Sequence, residues 1–220
     1  YLKFRALQGN ETRHLIAALP VLADWSRATL PKALNEIQLA CFVQAFDLRK
    51  PIGQRDYAIA RCLIDLGLRG CEVANLVIES VDWRSGILTV ANNKGRRILQ
   101  LPLPSQTGEA IACYLRHGRP ATTSRVLFVH HEAPVGAPLH VAGIRAAMRY
   151  AFERCGLGEQ FCSTHVLRHT VAVRLQRSGA SLKDIADVLG HRSLESTMSY
   201  ARVDLEELRV VSLPWPGSRP

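Results

Sequence analysis

The stretch RDYAIARCLIDLGL, from Arg55 to Leu68, constrains this chain more than any other. It is apolar almost all round a 3.6-residue period, and a helix without a wet face has to be surrounded by other elements. A chain carrying it folds around it. The flanking segments supply what it needs. NEIQLACFVQAF, from Asn35, has helical apolar spacing, and Gly67 is placed to stop the central helix. RGCEVANLVIESVDW then reads as a further helix with Val73, Ala74, Leu76 and Val77 facing inward.

The next punctuation is of another kind. GILTV and ILQLPLP are short alternating runs on either side of ANNKGRR, which predicts a hairpin with Asn93, Lys94 and Gly95 near its tip. GEAIACYLRHGRP reads as an amphipathic helix stopped by Gly118 and Pro120, and RVLFV as another strand. HVAGIRAAMRYAFERCGL is a helix with Ile144, Met148, Ala151 and Phe152 in line and Gly156 as its stop. THVLRHTVAVRL, SLKDIADVLG (Ser181 as N-cap, Gly190 as stop) and SLESTMSYARV (Ser193 as N-cap) complete a series of helices. The expected class is α+β, mostly α-helical with a small antiparallel β-sheet.

Composition narrows the partners. The 220 residues include 28 Lys and Arg against 19 Asp and Glu, a formal charge of +9, which suits a polyanion. No run reaches the roughly 18 apolar residues of a membrane span, and the start does not read as a signal peptide, so a cytoplasmic site of action without membrane is expected. Six scattered cysteines without a CxxC read as reduced, buried and structural, and His130-His131 lacks partners at ligand spacing; neither a metal nor a cofactor is expected. The first residue is Tyr1 rather than Met, as expected of a sequence starting inside a longer gene product.

Polar residues stand beside several structural breaks. His165 and Arg168 lie one turn apart on a helix that otherwise buries Val166, Leu167, Val171, Ala172 and Leu175. Arg69 follows a helix-ending Gly, Lys94 sits in the hairpin, His191 follows Gly190, and Tyr200 lies on the last short helix. Cleaving a phosphodiester without metal needs a nucleophile, cationic donors around the non-bridging oxygens, a proton acceptor and an acid for the leaving oxygen. These residue types cover all four needs. His169, adjacent to Arg168 but turned to another face, reads as structural.

Three segments carry a family resemblance. THVLRHTVAVRLQRSGASLKDIADVLGHRSLESTMSYARV resembles the signature region of the tyrosine recombinases (phage integrases), with H-x-x-R-H, L-G-H and a tyrosine one short helix later. LIDLGLRGCEVANLVIESVDW resembles that family's first arginine box, and NNKGRRILQLPLP its lysine hairpin. The resemblance runs from about Leu30 to about Leu208.

It implies a tyrosine recombinase (DNA breaking-rejoining) catalytic-domain fold and a site-specific DNA recombinase, an integrase or transposase-like enzyme of a mobile element. Tyr200 would form a 3′-phosphotyrosyl link, with Arg69 and Arg168 clamping the phosphate. Lys94 would protonate the departing 5′ oxygen, His165 assist proton transfer and His191 hydrogen-bond the phosphate, with Glu72 in support. Free tyrosine ionises only near ~10, so base assistance and nearby cations matter. The implied partners are double-stranded DNA and further copies of the chain, a tetramer in the synapse. Arg168→Ala is expected to abolish cleavage while leaving folding nearly intact.

The corresponding domain reading is residues 1–25 as a remnant of an N-terminal core-binding domain and linker, 26–207 as catalytic domain, and 208–220 as a tail for contact between protomers. Two alternatives stay open on the residues alone. The segment from Leu182 to Tyr200 also fits a helix-turn-helix regulator, which has no use for Arg69 and Lys94, and a type IB topoisomerase shares the chemistry.

Overall fold

In the computed structural model of the chain, residues 5–6, 8–9, 11, 32–91 and 98–190 are described. The chain divides into two compact units, Tyr1–Leu30 and Pro31–Pro220, and the second holds the elements below.

Helix α1, Glu36–Gln44, starts where Asn35 caps it: the Asn35 side chain accepts from the Gln38 N–H at 2.8 Å, and the Gln38 side chain accepts in turn from the Asn35 N–H at 3.0 Å. Just upstream, the Leu34 N–H donates to Thr170 Oγ1 at 2.9 Å, tying the entry of α1 to a helix far along the chain. Helix α2, Pro51–Asp65, opens with Pro at its first turn and is buried on all sides through Ala58, Ile59, Ala60, Cys62, Leu63 and Ile64. Its two interior arginines are paired: Arg55 with Asp56 at 2.7 Å and Arg61 with Asp65 at 2.9 Å. Burying them is tolerable only because each meets a carboxylate.

The expected third helix is much shorter than its apolar pattern suggests. Helix α3 spans only Gly70–Ala74; a 3₁₀ turn at Ile78–Ser80 and a short strand, β1 Val81–Asp82, follow. Val73 and Leu76 are buried as expected, whereas Ala74 and Val77 are only partly covered. The β-branched run Val77-Ile78 favours extended backbone over helix, and Ile78 N–H is taken by the Arg125 carbonyl at 2.9 Å.

β1 pairs with β2, Ile87–Ala91, and β2 with β3, Ile98–Pro102, in a three-stranded antiparallel sheet of order β1-β2-β3. The register sets Leu88 opposite Leu101 and Val90 opposite Leu99, so one face of the hairpin lies on the core. Lys94 lies outside the described residues.

Helix α4, Ser105–Cys113, runs into a π-helical turn at Tyr114–Gly118. The segment read as a strand, RVLFV, is not one. Leu127, Phe128 and Val129 are fully buried, but pairing is limited to isolated bridges, Val77 with Val126 and Val129 with Pro138. Its backbone groups bond to loops instead, Leu127 N–H to the Leu76 carbonyl and Leu139 N–H to the Phe128 carbonyl. Periodicity reports burial, and here burial came without a neighbouring strand.

Helix α5, Val141–Arg154, buries Ile144, Ala147, Met148, Ala151 and Phe152, and Gly156 follows it at φ 73°. Helix α6, Thr164–Arg177, is capped by Ser163, and helix α7, Leu182–Val188, by Ser181. One core cluster joins α1, α2, the sheet and α5, with Phe42 and Phe152 rings 4.6 Å apart. A smaller one, Val171, Ala172, Val173, Ile185 and Leu189, holds α7 on α6. All six cysteines are free thiols, and only Cys62 is buried; Cys41, Cys71, Cys113 and Cys162 are exposed, against the expectation of buried structural cysteines. An apolar run places a cysteine on a helix but does not say which face it takes.

Candidate active site

The site is built where the end of α2, the start of α3, α6 and the end of α7 meet. Gly67 terminates α2 in the left-handed region, at φ +62°; a Cβ there would come within 2.5 Å of Leu189 Cδ2. That close approach lays the loop after α2 directly on the C-terminal end of α7. Arg168 closes the junction from below: Nη1 donates to the Gly67 carbonyl at 2.5 Å, and Nη2 donates to the Leu189 carbonyl. Only 5% of Arg168 is exposed.

Arg69 approaches from the other side. Its Nη1 pairs with Glu72 Oε1 at 2.8 Å, its main-chain N–H donates to Glu72 Oε2 at 2.7 Å, and its Nη2 reaches the Gly190 carbonyl at 3.4 Å. Glu72, 9% exposed, thus uses both carboxylate oxygens to fix Arg69 as the first turn of α3 begins. The guanidinium is held sideways while a third of the Arg69 side chain stays open to solvent. Leu189 and Gly190 carry consecutive carbonyls at a helix end, where the unpaired oxygens are partly negative, and this draws two guanidiniums to one place.

His165 stands on the exposed side of α6, one turn before Arg168. Desolvation of its inward side, then the positive charges of Arg168, Arg145 and Arg69, hold its imidazole below the usual histidine range. It is therefore neutral near pH 7 and able to accept a proton. The half-buried His169 is lowered for similar reasons, burial first and then His165 and Arg168.

Of the seven expected site residues, the structure brings together Arg69, Glu72, His165 and Arg168. Lys94, His191 and Tyr200 lie outside the described residues; His191 is the next residue in the chain after Gly190, whose carbonyl meets Arg69. Four participants escaped the sequence reading. Gly67, Leu189 and Gly190 act through their carbonyls, which no side-chain motif reveals, and the charge of Arg145, on α5, acts on His165 only through the tertiary fold.

One expectation has to be revised. Arg168 was expected to be dispensable for folding, yet its guanidinium is buried and supplies donors to two main-chain carbonyls from different elements. Its removal leaves those acceptors without partners, so Arg168→Ala is destabilising as well as disruptive at the site.

Two surface cavities, of about 450 and 640 Å³, include none of the four assembled residues; Arg61 and Gln106 line both. Among the described residues no group of three or more His, Cys, Asp or Glu is arranged to hold a metal, and no helix is long and apolar enough to cross a membrane.

The α+β body, mostly helical with one small antiparallel sheet, has the fold of a tyrosine recombinase catalytic domain: it superposes on the crystal structure of XerA recombinase with a TM-score of 0.68 at 27% identity, covering 84% of this chain and 67% of that one. The chain belongs to the phage integrase family, whose model matches residues 32–207. It is 39% identical over 217 residues to the putative integrase/recombinase y4rA of Sinorhizobium fredii (strain NBRC 101917 / NGR234), covering 99% of this chain and 53% of that protein. It is 32% identical over 191 residues to the tyrosine recombinase XerC of Bacillus subtilis (strain 168), covering 82% of this chain and 60% of XerC. The chain thus spans little more than half the length of these two curated relatives.

Proposed function

We propose that this chain is the catalytic part of a site-specific DNA recombinase, an integrase or transposase-like enzyme of a mobile element, that cleaves and rejoins DNA through a 3′-phosphotyrosyl intermediate without metal or ATP. The observation that carries the reading is the convergence of Arg69 and Arg168 on successive carbonyls at the end of α7, with a neutral His165 beside them. Two planar guanidiniums match the non-bridging oxygens of one phosphate and stabilise the charge that builds up there during displacement.

In this reading Tyr200 attacks the scissile phosphorus, and His165, with its lowered pKa, takes the phenolic proton. Lys94 donates a proton to the departing 5′ oxygen, and His191 hydrogen-bonds the phosphate. Glu72 keeps Arg69 aimed. The phosphotyrosyl bond conserves the phosphodiester's energy, so a 5′ hydroxyl from another strand reverses the step. The formal charge of +9 supports a duplex as substrate.

The assignment extends to organisation. Residues 1–25 belong to a connection with an N-terminal DNA-binding module, 26–207 form the catalytic domain, and 208–220 contact a neighbouring protomer in a tetrameric synapse. The setting is the nucleoid of a prokaryotic cytoplasm.

The test uses the full-length protein in a chelating buffer with nicked duplexes tiled across its own genomic neighbourhood, resolved on a denaturing gel. Wild type is expected to give a covalent protein–DNA band that Tyr200→Phe lacks. An adduct that persists in Tyr200→Phe, or a duplex that is bound specifically and never cleaved, overturns the proposal.

A further inference from the structure

The exposed Cys41 on α1 lies against Cys155, the residue that ends α5. The Cys41 thiol donates to the Cys155 carbonyl at 3.5 Å, which brings the Cys41 sulfur to the main chain of the residue that carries the second thiol, and the Cys155 thiol donates to the Phe152 carbonyl at 3.4 Å. The surrounding contacts hold the two cysteines in place. The neighbouring Phe42 and Phe152 rings lie 4.6 Å apart, Arg154 Nε donates to the Ala45 carbonyl at 2.8 Å, and the Arg154 guanidinium sits over the Phe46 ring at 5.8 Å. Elements already packed this way give up little freedom when a covalent bond is added between them.

We propose that Cys41 and Cys155 form a reversible disulfide by exchange with a low-molecular-weight disulfide such as oxidised glutathione. The Cys41 thiolate attacks one glutathione sulfur, forming a mixed disulfide and releasing one glutathione thiolate. The Cys155 thiolate, its proton given to solvent, then attacks Cys41 Sγ and releases the second glutathione. Two protein thiols are oxidised and one disulfide is reduced to two thiols, so atoms and electrons balance. Cys41 enters first because it is exposed, while Cys155 is half-buried and its thiol is held up by burial and by Cys41. The other thiols differ from this pair: Cys62 is buried, with its pKa pushed up to about 12, and no contact brings another described cysteine to Cys71, Cys113 or Cys162.

The bond closes a loop running from α1 through the central helix and the sheet to the end of α5, so its main effect is to restrict the unfolded chain. It locks α1 in the position the reduced protein already gives it and leaves the Arg69–Arg168 junction untouched.

The purified chain is equilibrated with oxidised glutathione, its remaining thiols are alkylated, and intact mass and tryptic peptides are measured. The expected product has two fewer alkylated cysteines and a crosslink between peptides 33–49 and 155–168. Because the second peptide also contains Cys162, variants decide the partner: the crosslink persists in Cys162→Ser and disappears in Cys155→Ser and Cys41→Ser. Thermal unfolding of the oxidised protein is expected on the order of 10 °C higher, reversed by dithiothreitol and absent in Cys41→Ser. A crosslink that survives Cys155→Ser, or oxidation that stops at glutathione on Cys41, refutes the proposal.

Discussion

Replacing Arg168 and Arg69 by alanine separates the structural from the catalytic work of the two guanidiniums. In Arg168→Ala the Gly67 and Leu189 carbonyls lose buried, charge-assisted donors, and each unsatisfied acceptor costs roughly 1–3 kcal/mol. Water entering the space left behind recovers part of that loss, so a net destabilisation of about 2–4 kcal/mol is expected. Arg69 is different: its side chain is 32% exposed, its ion pair with Glu72 is local, and its bond to Gly190 is long at 3.4 Å. Arg69→Ala is expected to cost about 1 kcal/mol or less. Both variants should lose the covalent adduct. With a urea dependence of roughly 2 kcal/mol per molar, the Arg168→Ala midpoint should fall by about 1–2 M and the Arg69→Ala midpoint by about 0.5 M or less. Equal midpoints for the two variants would refute the argument, because the difference rests wholly on burial and on where the donors point.

Gly67→Ala forces a side chain into the left-handed region and against Leu189, so it should destabilise by about 2–4 kcal/mol in urea titration and reduce cleavage without touching any charged group. For His165, the lowered native pKa means the unfolded chain binds its proton more readily. This group's contribution to stability is therefore full above about 6.5 and declines as pH falls through that value. In an NMR titration Arg145→Gln should raise the His165 midpoint by removing one of the opposing charges, whereas an unchanged midpoint would show that Arg145 does not act there. Arg55→Ala strands the buried Asp56 carboxylate, whose pKa burial already raises. A loss of about 3–5 kcal/mol near pH 7 is expected, smaller at acidic pH and partly relieved by Asp56→Asn.

The legibility of this chain varied with the kind of signal. The caps at Asn35, Ser163 and Ser181, and the glycine stops at Gly67, Gly156 and Gly190, act within a few residues of themselves, and four of them fall at boundaries read from the sequence: Gly67, Gly156, Ser181 and Gly190. The hairpin register between Leu88 and Leu101 follows from a period of two with one buried face. Where the same apolar signal had two structural solutions, reading failed. Leu127 to Val129 is buried without a strand beside it, and Val77-Ile78 leaves the helix because its backbone partner, Arg125, is 47 residues further on.

The candidate site shows the same division. Residue type and order nominated Arg69, His165 and Arg168, because phosphate chemistry calls for those groups, and the resemblance to the recombinase motifs added Glu72. The division of labour between the arginines belongs to the tertiary structure. Arg168 is buried and Arg69 open because α7 ends on the loop after α2, with Leu189 against Gly67, and that contact joins residues more than a hundred positions apart. Local propensity is set by neighbours in the chain and is written in the sequence. Burial, the field of Arg145 on His165 and the meeting of Cys41 with Cys155 depend on which surfaces the whole core brings into contact, and only the folded chain decides that.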